Sequence, residues 1–351
     1  LLAGKTSEEE KAIAIYQFVK SKVKWNKNLG KYTVDGVRRA YRDGVGNIAE
    51  INLILTSMMR SAGLNANPIL ISTRSNGIPM FPTIEGYNYV VASVNFSNNS
   101  FAMLDAADPY SLPNQLPTRT INWNGRLVKK DGTSIAVNLV PTELSVVDHN
   151  LNVKLLSDGL VEGLMRSKLT NYHAYNFRHK LGIVKDSEIR SKLEEDYNVQ
   201  IDNFRITNKL NIGKPVGQLV KFSSEDLVEE ISGKLHVDPL LFLAENVNPF
   251  KLAERKFPVD FTMPRQQKNT ISIQIPEGYT IESLPETFAV SMSDDMAVFK
   301  FQISAVGNKI KVFSIVQINK PVISPEYYEE LKEFYNRVIK KQTEKIVLVK
   351  V

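Results

Sequence analysis

The first strong pattern in the chain is helical. Over "TSEEEKAIAIYQFVKSKVKW" (residues 6–25), Ile13, Tyr16, Val19 and Val23 recur at helical spacing, with Ile15 and Phe18 alongside. Thr6 with Glu9 and Ser7 with Glu10 are overlapping capping-box candidates at its start. A second helix is predicted from about Ile48 to Ala62. Ile51, Leu55, Met58 and Met59 lie on one side and Leu53 and Ile54 nearly opposite, so this helix is expected to be buried centrally. A tight Gly44-x-Gly46 turn leads into it, Asn47 is its N-cap candidate, and Gly63 is a natural stop.

The pattern then changes to short strand-like runs. These are "NPILIST" (67–73), "YNYVVASV" (87–94) and "FAMLDA" (101–106), with "SNNS" (97–100) turning between the last two. Helices followed by antiparallel strands predict an α+β domain. The Pro-rich "DPYSLPNQLPTRTINWNGRLV" predicts an irregular wrap along the domain edge, before a junction near residue 140. Beyond it, strands are predicted at 151–156, 218–224, 258–263 and 270–275. Residues 297–318 read as two alternating strands joined by Gly307-Asn308, a two-residue hairpin signal. Helices are predicted over Asp186–Tyr197 and near 324–342, the latter with Ser324 as N-cap and Pro325 in its first turn. Residues 1–140 thus form one expected domain. Residues 141–351 form a second, mostly β and sandwich-like with helical insertions.

Composition narrows the chemistry. With 43% hydrophobic and 23% charged residues over 351 positions, the chain is globular and long enough for more than one domain. It has no cysteine, which excludes disulfides, thiolate metal sites and a thiol nucleophile. All four histidines (His149, His173, His179, His236) lie in the second half. His173 and His179 are six apart, not the i, i+4 pair of a zinc helix, so no metal site is expected. "GVGNIA" lacks the strand–Gly-x-Gly-x-x-Gly–helix context of a dinucleotide fingerprint, and no cofactor is expected.

Charge is uneven: 16 Lys and Arg face 10 Asp and Glu in residues 1–140, against 28 and 28 in the remainder. The excess sits on the first helix (Lys20, Lys22, Lys24, Lys27) and at Arg38, Arg39 and Arg42. It reads as a solvated helical face, and no nucleic-acid partner is expected. No run reaches the roughly 20 apolar residues that span a bilayer. "LLAGKTSEEE" has neither an initiator Met nor a signal-peptide pattern, so the chain is expected to be cut from a longer precursor.

Three segments together, "GVGNIAEINLILTSMMRSAGLNANPILIST", "EGYNYVVASV" and "FAMLDAADP", resemble the bacterial transglutaminase-like domain of the papain-like cysteine-peptidase fold. In that family a helix opens with Cys, a later strand carries His, and the following strand carries Asp. Registering the motifs puts Ile48 at the Cys position, Tyr89 at the His position and Asp105 at the Asp position. "ERKFPVDFTMP" (254–264), "IPEGYTIESLP" (275–285) and the ending over 324–348 resemble the β-rich region that follows such domains in multidomain bacterial envelope proteins. The resemblance implies a further β-domain upstream of Leu1 and a periplasmic or otherwise extracytoplasmic location.

Thiol acyl transfer needs a thiolate, an imidazole to activate it and an acceptor to orient the ring. Ile48 has no heteroatom. Tyr89, with a reference pKa of about 10, is a poor base at neutral pH. The expected function is therefore a non-catalytic binding or scaffolding module, with peptide, glycan or another envelope protein as partner. Asn47, Glu50, Asn52 and Tyr87 are the candidates to line a relic cleft, although Glu50 and Asn52 suit cap and packing contacts better. The alternative is a superfamily hydrolase or acyltransferase that works through a different residue set.

Overall fold

The computed structural model describes residues 1–81 and 83–351. The chain divides into two compact units, Leu1–Thr142 and Glu143–Val351.

The first unit begins with helix α1, Glu8–Lys22. Of the two capping boxes, the one used is Ser7 with Glu10, and Ala12, Ile15, Tyr16 and Val19 form its buried stripe. A short helix unanticipated from the sequence, α2 (Val37–Asp43), follows a glycine N-cap with no side-chain cap bond. Helix α3, Ile48–Ser61, is the centre of the unit: nine of its residues are buried, Ile48, Ile51 and Leu55 completely. It packs against strands 65–71 and 89–95 and against α1 and α2. Gly44 ends α2 with φ 71°, a backbone conformation that costs glycine little. At Gly46 an added Cβ would meet the Cβ of Ala40 at 3.0 Å and of Glu50 at 3.1 Å, so the approach to α3 admits no side chain.

The sheet of this unit has five antiparallel strands in the order 101–104, 89–95, 65–71, 124–128, 134–138. The last two correct the sequence reading. "NGRLV" is not part of an irregular wrap, because Leu127 and Arg126 pair with Ile69 and Leu70 and extend the sheet.

The second unit is built on an eight-stranded mixed sheet. Its order is 200–207, 216–224, 161–169, 145–155, 265–274, 309–318, 297–306, 288–291, with 145–155 and 265–274 parallel. The predicted hairpin over 297–318 is there, turning at Gly307-Asn308. One face of the sheet shares a core with the late helix, Tyr328–Gln342, and with a four-stranded sheet ordered 228–231, 234–237, 346–350, 279–283. Helices α4 (Asn171–Leu181) and α5 (Asp186–Tyr197) pack together around Ala174, Phe177, Ile189 and Val216. α5 matches the expected span, whereas α4 was not foreseen. The late helix, α6, is Tyr328–Gln342. It follows a 3₁₀ turn over Pro325–Tyr327, for which Ser324 is the N-cap residue without a side-chain cap bond. "PVDFTM" shortens to a two-residue pairing, Val259–Asp260 with Val322–Ile323.

Candidate functional site

The start of α3 is where the sequence register expects a family nucleophile, and its polar groups are engaged. Asn47 caps the helix: its Oδ1 accepts from Glu50 N at 2.8 Å, and its own backbone N–H donates to Glu50 Oε2 at 2.8 Å. The other oxygen of Glu50 accepts three more backbone N–H groups, from Val34 (3.0 Å), Asp35 (2.7 Å) and Gly36 (3.1 Å). Burial alone would raise the Glu50 pKa. Its four backbone donors more than offset this and hold it below the usual carboxylate range. The carboxylate therefore fastens the 34–36 backbone to the first turn of α3. Asn47 Nδ2 adds a bond to Tyr32 O at 2.8 Å.

Ile48, Tyr89 and Asp105 each have 0% exposure. Ile48 and Tyr89 belong to the same apolar core, and Tyr89 and Asp105 are directly bonded. The tyrosine hydroxyl donates to Asp105 Oδ2 at 2.6 Å and accepts from Arg119 Nη2 at 2.9 Å. Asp105 Oδ1 accepts from Asn52 Nδ2 and from Ala107 N, both at 2.9 Å. Asn52 is itself used on both sides: Nδ2 also reaches Val90 O at 3.0 Å, and Oδ1 accepts from Ala106 N at 2.9 Å. Asn47, Glu50 and Asn52 thus do not line a cleft, since each is at most 2% exposed with its polar atoms spent on the fold. Tyr87 is half-buried, and no hydrogen bond connects it to this network.

Arg119 is the residue that sequence reasoning missed. It comes from the 3₁₀ turn Thr118–Thr120, inside the segment expected to be irregular. Its guanidinium bonds Tyr89 Oη, pairs with buried Asp108 at 3.3 Å and lies 4.9 Å above the Trp25 ring. Nothing in the spacing singles out this arginine. The available signal is chemical: a buried carboxylate needs a cation, and Arg119 is the one that reaches it through the phenol. Beneath the network, Tyr16 Oη lies 2.9 Å from both Ser111 O and Ser111 Oγ, and Ser111 Oγ donates to Asp105 O at 2.7 Å. Lys20 Nζ closes the set on Ser111 O at 2.8 Å.

The electrostatics oppose acid–base work. Burial, reinforced by the Asp105 charge, pushes the Tyr89 phenol well above its ordinary pKa although Arg119 pulls the other way. Burial likewise raises Asp105 against the pull of Arg119, Tyr89 and Asn52. A phenol that stays protonated between a carboxylate and a guanidinium is a structural link. It is not a base at neutral pH.

Residues 1–106 match the transglutaminase-like superfamily model, and residues 233–348 match a domain family of unknown function with a solved structure (DUF3858). No curated protein matches. Among solved structures, one similar to this chain is the crystal structure of a "putative protease" from Parabacteroides distasonis ATCC 8503. It is 13% identical with a TM-score of 0.54, over 99% of this chain and 53% of that one. At this identity the likeness is one of fold, and the chain spans about half the length of that neighbour. The chain carries a transglutaminase-like domain followed by a β-rich domain made of several sheets.

Proposed function

We propose that the transglutaminase-like domain is a retired catalytic scaffold, and that the chain serves as a non-catalytic binding or scaffolding module of the bacterial cell envelope. Peptide, glycan or another envelope protein is engaged elsewhere than at the old site. The observation that carries this reading is the closed chain Asn52–Asp105–Tyr89–Arg119–Asp108, which leaves Ile48, Tyr89 and Asp105 without exposure. Substrate has no path to an acyl-transfer geometry there. The sequence holds no cysteine, and His149 is its first histidine, beyond the first unit.

One feature favours the enzymatic alternative. Burial pulls Lys20 down to about 8, a value suited to a base, beside Ser111. Yet Ser111 is fully buried and its hydroxyl already donates to Asp105 O, so the pair has no nucleophile to offer.

The test assays the purified chain for ammonia release and amine incorporation on glutamine peptides, and for peptide hydrolysis. No turnover is expected, and turnover abolished by Lys20→Met would establish the alternative instead. The register is tested with the double variant Ile48→Cys/Tyr89→His. If the two positions meet, the pH profile of thiol alkylation falls clearly below the ordinary value of about 8.5. A thiol that still titrates there separates them.

A further inference from the structure

The eight-stranded sheet has one face against the core. Its other face carries a charge pattern that the composition of the unit conceals. Alternation and register place four rungs of side chains on that outer face. One runs Arg205, Leu219, Arg166, Asn150, Thr270, Phe313, Gln302, and the next runs Asn203, Lys221, Leu164, Asn152, Ser272, Lys311, Ser304. The flanking rungs are Lys168, Asp148, Lys268, Ile315, Lys300 on one side and Glu162, Lys154, Gln274, Lys309, Val306 on the other. Nine basic side chains thus share the face with two acidic ones, in a unit whose 28 basic and 28 acidic residues cancel in total. Lys268 is tied to Asp148 at 3.2 Å, while among the described residues the other eight basic groups make no ion pair and all eight are exposed.

The middle of the face is mostly uncharged but not apolar. A groove of about 560 Å³ runs across four strands there, lined by Asn150, Asn152, Thr270, Ser272, Gln302 and Ser304, with Lys311 at its charged rim and the half-buried ring of Phe313 in its floor. Amides and hydroxyls both donate and accept, which suits a ligand rich in hydroxyl groups. Lysines and arginines on either side suit regularly spaced negative charges on the same ligand.

We propose that this face binds an acidic polysaccharide, a polymer of uronic-acid type, with sugar hydroxyls on the amide and hydroxyl rows and carboxylates on the flanking cations. This goes beyond the reading of the first unit and does not depend on it. A protein partner is disfavoured because the centre of the face lacks the large apolar anchors that dominate protein interfaces. A nucleic-acid strand is disfavoured because a single ring, Phe313, offers stacking where single-strand binders present several.

The experiment titrates the full chain with polygalacturonate, using neutral dextran, poly-glutamate and single-stranded DNA of matched length as comparators. Binding of polygalacturonate at micromolar concentration, none of dextran, and at least tenfold weaker binding of the two other polyanions is the expected result. The triple variant Arg166→Gln/Lys168→Gln/Lys311→Gln, whose side chains are exposed, should weaken polygalacturonate binding more than tenfold. The double variant Asn150→Ala/Gln302→Ala should weaken it severalfold while leaving the residual DNA and poly-glutamate binding unchanged. Circular dichroism establishes that both variants are folded. Equal binding of all three polyanions, indifference to the amide variant, or no binding above dextran each overturns the proposal.

Discussion

The two units bury polar side chains in opposite ways. In the first, the Asp105 network saturates its members: each oxygen of Asp105 has a donor, Asn52 is used on both sides, and Arg119 supplies the cation. In the second, Ser167, His149, Asn269 and Ser314 lie side by side on four neighbouring strands, facing the core. His149 Nδ1 and Ser167 Oγ meet at 2.7 Å, but Asn269 Oδ1 and Ser314 Oγ find no hydrogen-bond partner among the described residues. Loops complete the first set around Asn52 of α3 and Tyr89 of a strand, and they can bend to deliver a backbone N–H or a guanidinium wherever a buried group requires one. Strands in fixed register build the second, and a pleated ladder spends its backbone groups on itself. A buried cluster beside a helix can therefore be completed group by group, whereas a row across a sheet keeps whatever satisfaction its register allows.

The largest effect tests the first half of that contrast. Arg119→Ala removes the guanidinium bonded to the phenol of Tyr89 and deletes its ion pair with Asp108, leaving buried Asp105 without the cation that reaches it through that phenol. Breaking a buried charge arrangement on one side costs about 3–5 kcal/mol. Arg119 is partly exposed, at 28% of its side chain, so the lower end of that range is expected. Denaturant unfolding monitored by hydrogen exchange in the 89–95 strand measures it. A loss under about 1 kcal/mol would mean that the network closes without its arginine.

The elements carrying this contrast were unequally legible in the sequence. α3 was readable because its cap, apolar circumference and glycine stop agree with one another, and α5 and the 297–318 hairpin were readable for similar reasons. α2 was not: it is seven residues long and starts at a glycine without a side-chain cap. α4 hid behind Thr170, which makes no capping bond, and behind an aromatic face in place of the usual aliphatic one. The 124–128 strand was masked by prolines upstream and is held in place by its pairing with 65–71, a long-range contact that no local pattern announces. Of the site, Tyr89 and Asp105 came from motif register. Arg119 and the Ser111–Tyr16 pair did not, because their partners are distant in sequence and Arg119 and Ser111 lie in irregular segments.

A middle-sized effect separates the units by pH. Burial, with His173 nearby and against the pull of Asp148, takes His149 down to about 4, and burial with Arg265 takes His173 to about 4. The unfolded chain, whose histidines titrate near 6.5, then binds more protons than the folded one between those values. Stability of the second unit is complete above pH 6.5 and falls as the pH drops toward 4. The first unit has no histidine to contribute in that window. Acid titration from pH 7 to 4.5, followed by exchange in strand 145–155 and in strand 89–95, should weaken the former on the order of 2 kcal/mol and the latter less. His149→Gln should flatten much of the difference. Parallel loss in both strands would remove the histidines as its cause.

The smallest effect is the sharpest, because it compares two serines of equal burial. Ser111 and Ser314 are both 0% exposed. Ser111 Oγ donates to Asp105 O at 2.7 Å and lies 2.9 Å from Tyr16 Oη, so Ser111→Ala deletes made bonds and strips the phenol of a partner. A cost of about 1–2 kcal/mol follows from losing a buried hydrogen bond. Ser314 Oγ makes none among the described residues, so Ser314→Ala exchanges an unpaired hydroxyl for hydrogen and leaves the methylene packing in place. Its expected change is within about 0.5 kcal/mol, and a buried polar group without a partner makes stabilisation the favoured sign. Equilibrium denaturation of the two variants, each read by exchange in its own unit, gives both numbers under one condition. Should Ser314→Ala cost more than about 1 kcal/mol, the hydroxyl is engaged after all and the sheet row is as complete as the loop-built network. Should it be neutral while Ser111→Ala is costly, the difference between them lies in partners supplied by loops and withheld by a ladder.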